Sequence, residues 1–354
     1  MCRIQETSFG KFSNFLDCKA EILIMINKKF FACASFLLLG IASYGQSNLL
    51  NAKVPQEIGK KTAAQDSLDN DNPLPYGYVG DRDMLYSKKV WETIDLTQRI
   101  NFPMYFPVED NGEAGNLGAD RKSLFVVLIE AIESGKIKEI YGDSYFVTKK
   151  TPEEVKSNFY VSEINSNGIG ILNKFSGLKK YKGKSEEYII SDLKATGKLT
   201  EEHFDTAKIQ PSDIISYEVM GVWYFDKRQG EMKYRILALA PVAVDARTKL
   251  RASSGGAEDG GASAALPLFW VYYPSARDVL HKAKAFNEKN ASMPITFDHL
   301  LNSRRFSSTI TRMANVYGDR SINEYLTGKS QMQLLEAERV KETIRNFEQD
   351  MWNY

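Results

Sequence analysis

Cysteine is scarce and confined to one end: Cys2, Cys18 and Cys33 are the only three, and all precede residue 46. A chain that begins at Gln46 therefore has no disulfide, no thiolate metal site and no cysteine nucleophile, and rests on an ordinary core. Histidine is nearly as rare. His203, His281 and His299 stand far apart, and none is followed by a second ligand three or four residues on, as zinc sites require. Charge of one sign is not in excess, with 46 Lys and Arg against 45 Asp and Glu, so nothing attracts nucleic acid or an anionic membrane as the main partner. No Gly-x-Ser-x-Gly elbow is present. Gly168-Ile-Gly170 lacks a third glycine and a lysine at phosphate-loop distance, and reads as a flexible turn. Carboxylates abound, but a catalytic acid and base are paired in space and not by spacing. Neither cofactor nor metal is expected.

What is present starts with an export signal. Met25-Ile-Asn-Lys-Lys29 is a short basic head, Phe30 to Ser43 an apolar run, and Ser43 and Gly45 the small residues that a signal peptidase inspects. Cleavage is expected before Gln46, and Met25 is expected to be the true start, with residues 1–24 an upstream extension. The apolar run falls short of the roughly 20 residues that span a bilayer. Residues 1–45 hold five of the basic and three of the acidic residues, which leaves 41 against 42.

Residues 46–80 read as a flexible arm, polar and poor in apolar side chains. Within it, prolines and tyrosines from Pro73 to Tyr78 make a low-entropy docking segment. An N-terminal α/β part is expected over 81–160. There Asp81 to Leu96 mixes helical and extended spacing, and Asn101 to Pro107 reads as extended. Lys122 to Ser134 is an amphipathic helix closed by Gly135, and Ile137–Tyr141 with Tyr145–Val147 forms a hairpin across Gly142-Asp143. Thr151-Pro-Glu-Glu154 then caps a further helix. Residues 161–213 form a polar, lysine-rich helical insert, with helices over Ser185–Ala195 and Thr200–Lys208.

The last part, 214–354, carries the clearest pattern. Tyr217, Val219, Gly221, Trp223 and Phe225 alternate onto one face of a strand, and Met232, Tyr234, Ile236, Ala238 and Ala240 onto one face of the next. The spacing predicts a hairpin over 214–244 with a third strand at 268–273, so a small antiparallel sheet. Ser253 to Ala265 interrupts it as a Gly/Ala/Ser loop. Helices are expected at Thr296–Leu301 and Arg304–Met313. A capping box at Ser330–Gln333 opens a long amphipathic helix from Gln331 to about Met351, with a stripe of Leu334, Ala337, Val340, Ile344, Phe347 and Met351. Its polar face sets Glu338 against Glu342 and Lys341 against Arg345. The fold class is α+β: the small sheet packed with helices.

Several blocks carry a family resemblance. They are Trp91, Ile94-Asp-Leu96, Asn101 to Pro107, Trp223-Tyr-Phe-Asp-Lys227, Arg235 to Pro241, Pro267 to Pro274, Arg304 to Ser308, Asn315 to Tyr325, and Glu336-Ala-Glu-Arg339 on through Asn346 to Tyr354. With them the chain resembles the GldN (PorN) gliding motility family of the type IX secretion system of Bacteroidetes, from about Asp81 onward. The resemblance implies a non-enzymatic periplasmic subunit that self-associates in a ring with the lipoprotein GldK (PorK) under the outer membrane. It further implies contact with the periplasmic region of GldM (PorM), with no direct membrane span and no nucleic acid. The sequence departs from the family in the loop at Ser253–Ala265 and in a lysine-rich insert at Lys179–Lys184. The competing function is a secreted binding module or a carboxylate-dependent hydrolase of envelope polymers. For partner contacts the residues of choice are Pro73, Pro75, Tyr76 and Tyr78 of the arm, and Arg304, Arg305 and Phe306, because arginine and aromatic residues are enriched at interfaces.

Overall fold

Alternating side chains set the frame. The structure, a computed structural model, describes Ser67 and residues 71–108, 122–176, 185–253, 265–287 and 295–352. The leader at 1–45, the arm before residue 71 apart from Ser67, the insert at 179–184 and the loop at 254–264 lie outside the described residues. In chain order the strands are β1 (Met84–Asp95), β2 (Ile140–Tyr141), β3 (Tyr160–Ile164), β4 (Phe204–Lys208), β5 (Ile214–Asp226), β6 (Glu231–Ala243), β7 (Leu266–Pro267), β8 (Trp270–Tyr272), β9 (Lys284–Ala285), β10 (Ile295–Thr296) and β11 (Thr309–Met313). The helices are α1 (Phe102–Tyr105), α2 (Leu124–Glu133), α3 (Pro152–Phe159), α4 (Ser166–Ser176), α5 (Glu186–Ala195), α6 (Ala246–Ser253), α7 (Tyr273–Lys282), α8 (Phe297–Asn302), α9 (Ile322–Tyr325) and α10 (Ser330–Trp352). The fold is α+β. An antiparallel sheet runs in the order β11-β1-β5-β6-β8-β2, with β7 also on β6, and two smaller pairs, β3-β4 and β9-β10, lie apart from it.

On β5 the expected face holds. Tyr217, Val219 and Gly221 stand opposite Ile94, Glu92 and Val90 of β1 without a break in register. On β6 it does not. Met220 pairs with Ala238 while Gly221 pairs with Ile236, so Leu237 is an extra residue. This bulge exchanges the faces. Met232 and Tyr234 stay on the side that packs under α10, whereas Ala238 and Ala240 join Trp91, Met220 and Trp270 on the other side.

Helices cover the first side. Leu124, Leu128 and Ile132 of α2, Tyr273, Ala276 and Leu280 of α7, and Phe297 and Leu301 of α8 fill the main core against Ile94, Tyr217, Val219 and Leu239. Farther along the same side, Ala337, Val340 and Ile344 of α10 close on Val90, Ile310, Trp223 and Met232. Phe347 of α10 stacks on Tyr86, ring centroids 4.2 Å apart. Fully burying side chains of this size contributes roughly 1.5–3 kcal/mol each, which is what fixes the helices to the sheet.

Local signals explain where elements start and stop. Ser123 caps α2 by accepting from the Val126 N–H, and Gly135 at φ +69° ends that segment as expected. Thr151 and Glu154 form the expected capping box of α3, with Pro152 in its first turn. The helix expected from Ser185 appears as α5, and that at Thr296–Leu301 as α8.

Other expectations are corrected. Asn101 to Pro107 is not extended but a short 3-10 turn followed by α1, because Asn101 is buried and ties the turn down: its side-chain NH2 donates to Asp95 O (2.7 Å) and Ser307 O (3.0 Å). Tyr145–Val147 is loop, since Asp143 gathers its backbone N–H groups and only Lys149 returns to pair with Tyr141. Thr200–Lys208 is a 3-10 turn and then strand β4, paired along its length with β3. Gly168 lies inside α4, where a Cβ would sit 2.7 Å from His203 O. It is there for close packing and not for a turn. Arg304–Met313 is not helical: the β-branched run Thr309-Ile-Thr311 pairs with β1 as β11. Helix α10 already includes Ser330, and Gln333 turns its amide to Asn323 and Leu326 instead of back to a cap. Leu334 of the expected stripe is exposed. The expected like-charge conflicts on this helix are relieved, because Lys341 and Arg345 each reach a glutamate three residues earlier.

Candidate functional site

At the end of the β5–β6 hairpin, β6 from Glu231 to Leu237 has a strand partner on one side only among the described residues. Helices α7 and α8 and the segment Leu74–Val79 close in on that edge and line a half-open cavity of about 430 Å³. Its floor is a buried polar cluster built on two helix spacings. Asp298 and Asn302 are four apart on α8, whose start is capped by the Thr296 hydroxyl, and Tyr273 and Arg277 are four apart on α7. Asp298 accepts from Arg277 Nε (3.0 Å) and Nη2 (3.1 Å), from the Tyr273 hydroxyl (2.9 Å) and from Asn302 Nδ2 (2.7 Å). A carboxylate this buried is tolerable only with such partners. Burial pushes the Tyr273 hydroxyl far up, and the Asp298 charge beside it pushes in the same direction. Arg277 is raised as well: burial disfavours its charge, but the hydrogen bond and the charge of Asp298, with Tyr76 and Tyr273, together outweigh that.

Onto this floor the arm lays one tyrosine. Tyr76 lies between two guanidinium groups, Arg277 at 4.2 Å and Arg235 at 4.7 Å from its ring centroid, and its hydroxyl donates to Asn302 Oδ1 (2.9 Å). Arg235 Nη2 also donates to Gly77 O (2.8 Å), and Asp71 Oδ1 meets His281 Nε2 at 2.9 Å. Burial pushes the Tyr76 hydroxyl up to about 12, even though the Arg277 charge pulls it back. The flanking residues behave differently: Leu74 is 82% and Tyr78 is 87% exposed. Chemically this is a slot lined by aromatic and cationic side chains, with Asp226 and Asp298 among them. Asp298 is occupied by its three neighbours, which suits a structural anchor better than a group that exchanges protons.

The other sequence-predicted residues separate. Pro73 is half-buried and Pro75 exposed. Arg304, at φ +50°, turns inward: its Nη2 donates to Glu92 Oε2 (2.7 Å), and its guanidinium lies over Tyr234 (4.2 Å), Trp223 (5.0 Å) and Phe306 (5.3 Å). Glu92 is 1% exposed and also accepts from the Ser308 hydroxyl. Phe306 is buried too, so of the Arg304–Phe306 group only Arg305 faces outward. Tyr234 touches both places, lying beneath Arg304 and lining the slot.

A third feature escaped the sequence reading. Two loops meet beside Trp91: one around Asp143, the other from Asn315 to Asp319. Asp143 accepts from the N–H groups of Tyr145 (2.9 Å), Val147 (3.2 Å) and Thr148 (3.0 Å). Asn315 Oδ1 accepts from Tyr317 N–H (2.9 Å) and Asp319 N–H (3.1 Å), and Asp319 Oδ1 accepts from Asn315 N–H (2.9 Å). The Tyr145 hydroxyl joins the loops by donating to Asp319 Oδ2 (2.9 Å), and its ring lies 5.7 Å from that of Trp91. Phe146 (φ +62°) and Asp319 (φ +58°) hold left-handed backbones without being glycine. At the tips stand Val147 (81% exposed), Val316 (92%) and Tyr317 (76%). Gly142-Asp143 and Asn315 with Gly318-Asp319 are turn signals, and they were the available clue.

Residues 79–353 match the family described as gliding motility associated protein GldN. The chain belongs to the GldN family. The match takes in both loops, the Arg304 cluster and the sheet and helix walls of the slot. It begins at Val79, one residue after Tyr78. No curated protein matches the chain. Among the described residues no helix is long and apolar enough to cross a membrane, and no three His, Cys, Asp or Glu side chains gather as a metal site.

Proposed function

We propose that this GldN-family chain is a non-enzymatic structural subunit of the type IX protein secretion and gliding machinery. It resides in the periplasm, assembles with the lipoprotein GldK (PorK) and with further copies of itself in a ring, and meets the periplasmic region of GldM (PorM). The observation that carries this is the loop pair: three apolar side chains, Val147, Val316 and Tyr317, held out to solvent by a hydrogen-bonded and conformationally costly frame. Exposed apolar residues on a backbone already ordered bind with little further loss of entropy, and tyrosine is among the residues that dominate interfaces. The export signal and the gliding motility family support the same reading.

The test is co-expression of the mature chain with the lipoprotein, followed by affinity capture of either one. The native chain is expected in the captured complex. Val316→Ser combined with Tyr317→Ser is expected to lower the captured amount about tenfold or more while leaving thermal unfolding in place. Recovery of the native chain as a lone monomer would overturn the assignment.

A further inference from the structure

The slot at the β6 edge holds a short segment of its own chain: Asp71 at His281 and, five positions on, Tyr76 beside Arg277 and Arg235. We propose that in the assembled state this segment is Asp71–Tyr78 of a second copy, so that each subunit hands its arm to the next. This rests on the assembly reading above and adds to it the direction of the contact.

Four observations lead there. The first is charge. From Thr62 to Asp81 the arm carries Asp66, Asp69, Asp71 and Asp81 and no Lys or Arg, whereas the slot presents Lys233, Arg235, Arg277 and His281. Arg277 is matched by Asp298 and Lys233 lies 3.7 Å from Glu231, so Arg235 and His281 are the cationic groups whose polar atoms reach the arm, while Asp226 takes the Arg228 N–H of the hairpin turn. The second is the connection. Glycines flank the anchored piece, Gly77 within it and Gly80 just before β1, and Tyr76 packs against the main core, so release of the arm uncovers that packing and is favourable only where a second arm restores it. The third is incomplete burial. Leu74 and Tyr78 flank the anchored tyrosine and remain almost fully exposed, although apolar neighbours of an anchor are normally what seals it from water. The fourth is the edge of β6 at Lys233–Leu237 beside the cavity, which has no second strand partner among the described residues and so offers backbone groups for an extended segment to pair with.

The arm and the slot are different surfaces of one chain, so their exchange is head-to-tail. Such contacts close into rings or run on as filaments, and swapping an element that already fits costs little because the same bonds are re-made. In the single chain the arm occupies its own slot at high effective concentration, so exchange is favoured only when other contacts bring copies together.

The absence of cysteine after residue 45 makes the experiment clean. Two mature chains are prepared, one with Asp71→Cys and the other with His281→Cys, and are co-expressed with the lipoprotein. A short thiol-reactive linker can join them only between copies, and a covalent dimer of the two is the expected product. A third chain carrying both changes reports the contact within one copy. In parallel, Tyr76→Ala is expected to weaken subunit association about tenfold or more, read by analytical ultracentrifugation of the complex. Linkage confined to the double variant in material that still assembles would overturn the arm exchange and leave the assembly reading intact. Unchanged association of Tyr76→Ala, or linkage of the arm to a different protein, would also overturn it. A chain that never assembles removes both.

Discussion

Arg304 and Glu92 show how a residue chosen for one reason serves another. The adjacent arginines Arg304 and Arg305 look alike in sequence, yet only the first is bent inward by its left-handed backbone and spent on a fully buried carboxylate. Glu92 has one oxygen held by Arg304 and Ser308 while Oε1 has no hydrogen-bond partner among the described residues, so the site depends heavily on the single guanidinium. Burial works against the Arg304 charge, but the Glu92 carboxylate beside it holds its pKa above the ordinary arginine value. Removing one member of a buried pair strands the other. Arg304→Ala is therefore expected to destabilise the chain by about 3–5 kcal/mol in a denaturant titration, whereas Arg305→Ala, at an exposed position, should stay within about 0.5 kcal/mol. Equal costs for the two would refute the distinction. Gly221 belongs to the same neighbourhood: a Cβ there would lie 2.4 Å from the Tyr234 ring that supports Arg304, which is why that strand position has no side chain.

Among elements, the paired loops have a pH dependence whose sign follows from their acids. Burial pushes the Asp143 carboxyl up, but the backbone N–H groups of Thr148, Val147 and Tyr145 together hold it below the usual range. Asp319 is likewise low, first through the Asn315 N–H and also through the Tyr145 hydroxyl. A depressed folded pKa contributes stability that is present above the unfolded value of about 3.9 and fades as pH falls through the folded value. Acidification below about pH 4 is thus expected to loosen the loops before the sheet, seen as faster amide exchange at Val147, Thr148 and Asp319. Exchange there that is no more sensitive to acid than exchange in β5 would count against this account. How far the elements were legible is also instructive. Strand β5 and helix α2 could be read because each has one dry face, and period alone then reports the element. The bulge at Leu237 could not, since an inserted residue has no composition of its own and shows only in the partner's register. Strand β11 was misread as helix because five residues are too few for a period to speak, and its pairing with β1 spans more than 200 positions of sequence. For the slot, Tyr76 and Tyr78 were indistinguishable until Arg235, Arg277 and Asn302 were brought around one of them from three distant stretches.

At the scale of the whole molecule, the main core and the α10 core share one side of one sheet, so the two are expected to unfold together. Ile344→Ala, which empties a buried position between α10 and the sheet, should cost about 2–5 kcal/mol and lower a single transition common to near-UV and far-UV dichroism. Two separated transitions would show that α10 is an appendage and not part of the fold. Slot, Arg304 cluster and loop pair all hang on this sheet, the first two meeting at Tyr234, so a loss of sheet stability reaches each of them.

Helix α10 follows the sheet strands in the chain, and its Ala337, Val340 and Ile344 close on Val90, Trp223 and Met232, with Ile322 of α9 in the same cluster. With α10 lifted away, that end of the sheet loses the apolar cover over Val90 and Ile310. The helix thus acts as a latch on the sheet: what it covers is held only as firmly as its own three buried side chains hold it.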